Sequence, residues 1–197
     1  MTRQPGLQAA RLKALKNPLI KIDTPRLRLL SLNAVQLAAY LDSPAELENS
    51  LDVGLSRSLI SPVVRGAISI KLEKIKHAPE SDHAWYSYWL VLLRRENFGA
   101  GLTGFKGAPD RNGCVEIGYG MDERFQNLGY TSEAAKTLLG WAFSDPRCLT
   151  VTANINQRDN IASRRVLEKI GMSVTSETDE TSIWIITREQ YLNNPAG

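Results

Sequence analysis

The run Arg124-Phe125-Gln126-Asn127-Leu128-Gly129-Tyr130-Thr131 is the stretch of this 197-residue sequence whose residue types and spacing best suit chemistry. It lies between a strand-like segment and the most regular helical stripe in the chain. A strand, a tight turn containing Gly and a helix N-terminus aim several backbone N–H groups at one point, where the helix dipole adds partial positive charge. Such a place binds an anion, typically a phosphate, without a side-chain cation. Gly129 permits either a left-handed backbone or a close ligand approach. A capped helix entrance with an incidental glycine is the alternative reading.

Other constellations carry less. His77 and His83 have no neighbouring Cys or carboxylate at ligand spacing, so no metal site is expected. No G-x-S-x-G elbow or P-loop is present. Gly99-Ala100-Gly101-Leu102-Thr103-Gly104 matches G-x-G-x-x-G literally, which would mean a dinucleotide site if it opened a helix after a strand. The next segment, Phe105 to Gly113, is rich in Gly, Pro, Asp and Asn, so these glycines are expected in a hairpin. Cys114 and Cys148 lack C-x-x-C spacing and read as small hydrophobes.

Periodicity identifies the elements that position the loop. Arg26 to Leu32 is a strand with Leu27 and Leu29 on one face, and helices are expected at Ala34 to Leu41 and Val63 to Ile75. Three strands come next in succession: Trp85 to Leu93, its hairpin partner Gly99 to Lys106, and Cys114 to Met121. Ser132 to Phe143 is the most regular helix, with Ala134, Ala135, Leu138, Leu139 and Ala142 in an apolar stripe. Cys148 to Ala153 is a strand and Asn160 to Lys169 a helix stopped by Gly171; Met172 to Thr175 and Thr181 to Thr187 form an antiparallel pair. Trp85, Tyr86, Tyr88 and Trp89 read as core, and Lys71 to Lys76 as the solvated face of a helix.

Composition sets the class. With 43% hydrophobic and 23% charged residues the chain is an ordinary globular sequence of about one domain, neither disordered nor fibrous. The net charge of +3 is too small to make nucleic acid the expected partner. Seven basic side chains against one acid in the first 30 residues mark a basic N-terminal arm, placed at residues 1–22, before a single domain at 23–194 and a tail at 195–197. Arg11 and Lys13 interrupt any secretory h-region, and no run approaches a membrane span, so the expectation is a cytoplasmic protein with no membrane contact.

From Gly99 to about Thr187 the chain resembles the GNAT superfamily of acetyl-CoA-dependent N-acetyltransferases. The loop becomes Gln126-x-x-Gly129-x-Thr131, followed by Ser132-Glu133-Ala134. Glu116-Ile117-Gly118-Tyr119 and the run Asn160 to Gly171 (NIASRRVLEKIG) resemble the branch that includes ribosomal-protein N-terminal acetyltransferases. Three separated motifs in the right order make the signal specific. The departures are Asn127 where the branch usually has Gly, Thr131 for Ala, Met172 for Phe, and Leu167 where many GNAT enzymes carry a Tyr acid.

The resemblance implies a mixed α/β fold: a largely antiparallel twisted sheet with a splayed parallel strand pair, Cys114 to Met121 beside Cys148 to Ala153, and helices on both faces. Gly118 and Gly120 fit a bulge at the splay. It also implies acetyl-CoA as co-substrate, no metal, and transfer to a primary amine of a small molecule or a protein N-terminus by direct attack on the thioester, in a monomer or homodimer. The coenzyme would be held by Gly120, Met121, Gln126, Asn127, Leu128, Gly129, Tyr130, Thr131, Asn160 and Ser163. Amide formation needs a neutral amine, which at pH 7 costs about 4.6 kcal/mol for a lysine and about 1.4 kcal/mol for an α-amine. Glu116 is the candidate base, through water, and Ser163 the candidate donor to the thiolate. Each has a plainer alternative: a strand-paired surface carboxylate for Glu116, tight packing for Ser163, and helix capping with Asp159 for Asn160. A catalytically silent acyl-CoA-binding or sensor module is the alternative function.

Overall fold

The computed structural model describes residues 5–156 and 161–193. In chain order the elements are α1 (Pro5–Lys16), β1 (Ile20–Asp23), β2 (Leu27–Ser31), α2 (Ala34–Asp42), α3 (Pro44–Leu51), β3 (Gly54–Leu55), α4 (Pro62–His77), α5 (His83–Tyr86), β4 (Tyr88–Leu93), β5 (Phe98–Phe105) and β6 (Cys114–Met121). They continue with α6 (Tyr130–Ser144), β7 (Thr150–Asn156), α7 (Ile161–Lys169), β8 (Ser173–Glu177), β9 (Thr181–Thr187) and α8 (Arg188–Asn193). Short 3-10 turns occupy Glu80–Asp82 and Glu123–Phe125. No helix among the described residues is long and apolar enough to cross a membrane.

The sheet runs β1-β2-β4-β5-β6-β7-β9-β8, with β3 paired to β5 beyond the end of β6. Neighbours are antiparallel except β6–β7 and the two-residue β3–β5 pairing. Strand alternation divides the core between the two faces. Leu27, Leu29, Trp89, Val91, Val115 and Ile117 pack with α5, α6 and α7. Leu30, Leu90 and Leu102 pack beneath α1 to α4. The expected stripe of α6 is buried throughout, and of the aromatic group Trp85 and Trp89 are core while Tyr86 and Tyr88 are half-buried: Trp85 and Trp141 pack with ring centroids 4.4 Å apart.

Three local expectations need correction. Trp85 and Tyr86 are helical and the strand starts at Tyr88, because the chain turns at Ser87, whose hydroxyl bonds the Leu32 and Tyr88 carbonyls. Lys71 is not solvated: it is 7% exposed, with its ammonium on the Ser87 and Phe105 carbonyls and the Tyr88 ring. The third is the bulge. Strand β6 pairs with β5 without a register shift across Gly118 and Gly120; the shift falls between Val91 and Leu92, opposite Gly99 to Gly101, leaving Ala100 as the extra residue. The G-x-G glycines therefore flank a bulge within a hairpin strand, and no helix comes after them.

Residues 5–22 supply a helix and an edge strand. Leu15 is fully buried beneath α2, and the capping box of Asn33 and Gln36 also ties down this segment. Asn33 Nδ2 donates to the Ala14 carbonyl and Gln36 Nε2 to that of Leu15.

Candidate coenzyme cleft

Strands β6 and β7 pair only from Cys114 to Glu116 against Thr150 to Thr152, then diverge while both continue. The parting leaves room that α6 and α7 wall. A cleft of about 600 Å³ opens there, lined by Gly120, Met121, Gln126, Asn127, Gly129, Thr131 and Ser163, with Tyr119, Arg165 and Lys169 among the others. On the exposed face of β6 a methyl group added at Gly118 would meet nothing within 4 Å, and one at Gly120 only Leu59 at 4.0 Å. The strand backbone is open to a ligand lying along it.

The loop between β6 and α6 has the backbone an anion site needs. Asn127 and Gly129 are both left-handed, at φ 60° and φ 80°. Asn is the side chain that best tolerates this region after Gly, so Asn127 keeps a conformation a glycine there would adopt. Gly129 is the N-cap of α6 and provides no side-chain cap, so the first-turn N–H groups of α6 face the cleft end with the positive end of the dipole. Gln126 Nε2 donates to the Met121 carbonyl at 3.0 Å, joining the loop to the end of β6.

Beneath the loop Asp122 is almost fully buried. Its carboxylate accepts from Arg124 Nε and Nη2 at 3.0 and 2.8 Å, from the Arg124 N–H at 3.0 Å and from Ser56 Oγ at 2.5 Å. The Arg124 bonds, then that of Ser56, hold this carboxyl well below the usual carboxylate range. The Asp122 N–H reaches the bulged Ala100 carbonyl at 2.8 Å, which anchors the loop to β5.

The structure thus gathers seven of the expected residues in one cleft. Leu128 and Tyr130 are not among the lining residues; the Leu128 carbonyl accepts from Arg26 Nη1 and the Tyr130 ring lies under the same guanidinium. Asn160 lies outside the described residues. Glu116 shares the exposed β6 face with Gly118 and Gly120, about 13 Å along the strand from Gly120. It lines a second cavity of about 570 Å³ with Glu73, Lys74, His77, Tyr86 and Lys106, and its carboxylate pairs with Lys106 Nζ at 2.6 Å. Among the described residues no group of three metal-ligating side chains occurs.

Sequence reasoning passed over Tyr119. Its hydroxyl donates to the Ser163 carbonyl at 3.3 Å, bridging β6 to α7, and burial pushes it up to about 12. In the sequence it is one residue of the expected strand Cys114 to Met121 with no role of its own, and the divergence of β6 from β7 brings it to the cleft.

The chain belongs to the GNAT acetyltransferase domain family, whose model matches residues 51–173. It is 35% identical over 96 residues to the uncharacterized N-acetyltransferase YjdG of Bacillus subtilis, a match spanning 48% of this chain and 56% of that protein. Among solved structures it resembles a ribosomal-protein-S5-alanine acetyltransferase from Vibrio fischeri, with TM-score 0.61 at 14% identity, covering 86% of this chain and 97% of the other. RimL, a ribosomal L7/L12 α-N-protein acetyltransferase in complex with coenzyme A, gives TM-score 0.60 at 15% identity, covering 85% and 98%. Both share the fold described above.

Proposed function

We propose that this protein is an acetyl-CoA-dependent N-acetyltransferase that moves an acetyl group to a primary amine by direct attack on the thioester. The observation that carries this reading is the left-handed pair Asn127 and Gly129 at the uncapped start of α6, set at the mouth of the β6–β7 divergence. A pyrophosphate suits the loop from Gln126 to Thr131, and the arm of the coenzyme suits the bare backbone from Gly120 toward Gly118, with Met121 and Asn160 as further holders. Arg165 and Lys169 add positive charge to the cleft wall.

In this reading the amine nitrogen bonds to the acetyl carbon as the carbon–sulfur bond breaks. The amine proton passes through water to Glu116, and the Ser163 hydroxyl donates a hydrogen bond to the departing thiolate. Glu116 suits the task because it stands where the strands part, at the inner end of the open β6 face. A protein α-amine is an acceptor class supported by the ribosomal-protein enzymes that share the fold and by its low deprotonation cost. Release of free coenzyme A from acetyl-CoA, measured against a panel of peptide N-termini and small amines, tests the reading.

A second reading, an acyl-CoA-binding module without turnover, is favoured by one observation: the Glu116 carboxylate already has an ammonium partner in Lys106. Such a module would bind the coenzyme and release no thiol above the hydrolytic background.

A further inference from the structure

We propose that Arg26, at the start of β2 and about a hundred residues away in sequence, is the positioning residue that aims the anion-binding loop; this rests on the coenzyme reading of the cleft. Arg26 Nη1 donates to the Leu128 carbonyl at 3.0 Å, and Arg26 Nε donates to Glu133 Oε2 at 2.6 Å. The guanidinium lies over the Tyr130 ring, 4.7 Å from its centroid. Its Nη2 is 3.4 Å from where a Cβ on Gly129 would stand. One side chain thus engages Leu128 at the end of the loop and Tyr130 and Glu133 in the first turn of α6.

Glu133 is held in turn. Its Oε1 accepts from Thr24 Oγ1 at 2.6 Å and from the Arg26 N–H at 3.3 Å, so the β1–β2 turn and the first turn of α6 share one carboxylate. The peptide between Leu128 and Gly129 is planar and trans, as no cis bond is present, so its C=O and N–H point in opposite directions. Fixing the Leu128 carbonyl outward on Arg26 therefore turns the Gly129 N–H away from Arg26. Gly129 lines the cleft, whereas Leu128 is not among its lining residues. Glu133 offsets the charge of Arg26, so the contribution is geometric: it sets the direction of a donor in a loop that carries two left-handed residues.

The fork matters more than the charge, because Nε and Nη1 bond two different acceptors and a lysine ammonium cannot reproduce that planar pattern. Arg26→Ala and Arg26→Lys are therefore both expected to weaken coenzyme A binding at least tenfold by calorimetry, the ratio set by loss of a charge-assisted hydrogen bond. The kinetic loss should fall on KM for acetyl-CoA more than on kcat. In ligand-free protein, amide hydrogen exchange should quicken at Glu133, whose N–H bonds the Gly129 carbonyl, while the β-sheet amides stay protected. Affinity and loop exchange within twofold of the parent in both variants would overturn the proposal. So would faster exchange spread through the sheet, or Arg26→Lys behaving like the parent. If the parent chain itself fails to bind coenzyme A, the coenzyme reading falls, and the ligand-free exchange data still decide whether Arg26 orders the loop.

Discussion

The Glu116 carboxylate lies 2.6 Å from the Lys106 ammonium, at the last residue through which β6 pairs with β7. The lysine is largely in water, at 69% side-chain exposure against 26% for the glutamate, so the pair is weak and easily opened. Glu116→Gln is expected to lower kcat/KM by about 10²-fold or more, as loss of a general base does. Lys106→Met should leave kcat/KM within about threefold of the parent, because a half-exposed pair contributes little. Equal, small effects from both variants would make Glu116 a strand-surface carboxylate and favour the silent module.

Ser163 and Tyr119 meet at the same turn of α7 but should act differently. Ser163→Ala is expected to cut kcat by about tenfold or more with coenzyme A affinity almost unchanged, since a donor to the thiolate acts only as the bond breaks. Tyr119→Phe removes the bridge from β6 to α7 and should act on affinity first. Pre-steady-state acetyl transfer with titration of coenzyme A separates the two, and the reverse order would assign the thiolate to Tyr119.

The loop conformation can be tested through its two left-handed residues. Gly129→Val places a branched side chain at φ 80°, where even an unbranched L residue costs about 1–2 kcal/mol. It should abolish the thermal stabilisation that coenzyme A gives, about 2.7 kcal/mol at a hundred times Kd. Asn127→Gly should retain that shift, because glycine adopts the same backbone at no steric cost. Scanning calorimetry with and without ligand checks both, and a full shift in Gly129→Val would place the pyrophosphate elsewhere.

Much of this fold was legible because the back half of the chain obeys simple periods. Strand β6 has the bounds its alternation gave, and the α6 stripe is buried as spaced. The segment from 5 to 22 was harder: α1 carries Arg11, Lys13 and Lys16, and what ties it down among the described side chains is buried Leu15 and carbonyls held by Asn33 and Gln36, which are tertiary facts. Trp85 and Tyr86 have strand-like side chains, but tertiary packing, such as that of Trp85 against Trp141 and Phe105, overrides that preference. In the cleft, the Gln126 to Thr131 signal was local and therefore readable. Tyr119, Asp122 and Arg26 were not, because their roles depend on a strand parting, a buried carboxylate and a contact across about a hundred residues.

Lys71 gives the fold a pH dependence. Burial pushes its ammonium down to about 7, with the Lys74 charge a smaller cause, against about 10.4 in an unfolded chain. Between those values the unfolded state holds the proton and the folded state does not, so stability should rise with pH from about 7 to 10. The ceiling is about 5 kcal/mol at 1.36 kcal/mol per unit, reduced by the two carbonyls and the Tyr88 ring that favour the ammonium. Urea titrations across this range should show the rise in the parent and not in Lys71→Met; parallel curves would mean the charge is retained in the fold.

Acetyl-CoA turnover by the full chain, with free thiol and acetylated amine quantified together across peptide N-termini and small amines, decides between an acetyltransferase and a silent binding module. Equal amounts of coenzyme A and N-acetyl product are predicted on at least one acceptor class, with both lost in Glu116→Gln. Saturable acetyl-CoA binding with no thiol released above the hydrolytic background on any acceptor would contradict the acetyltransferase reading.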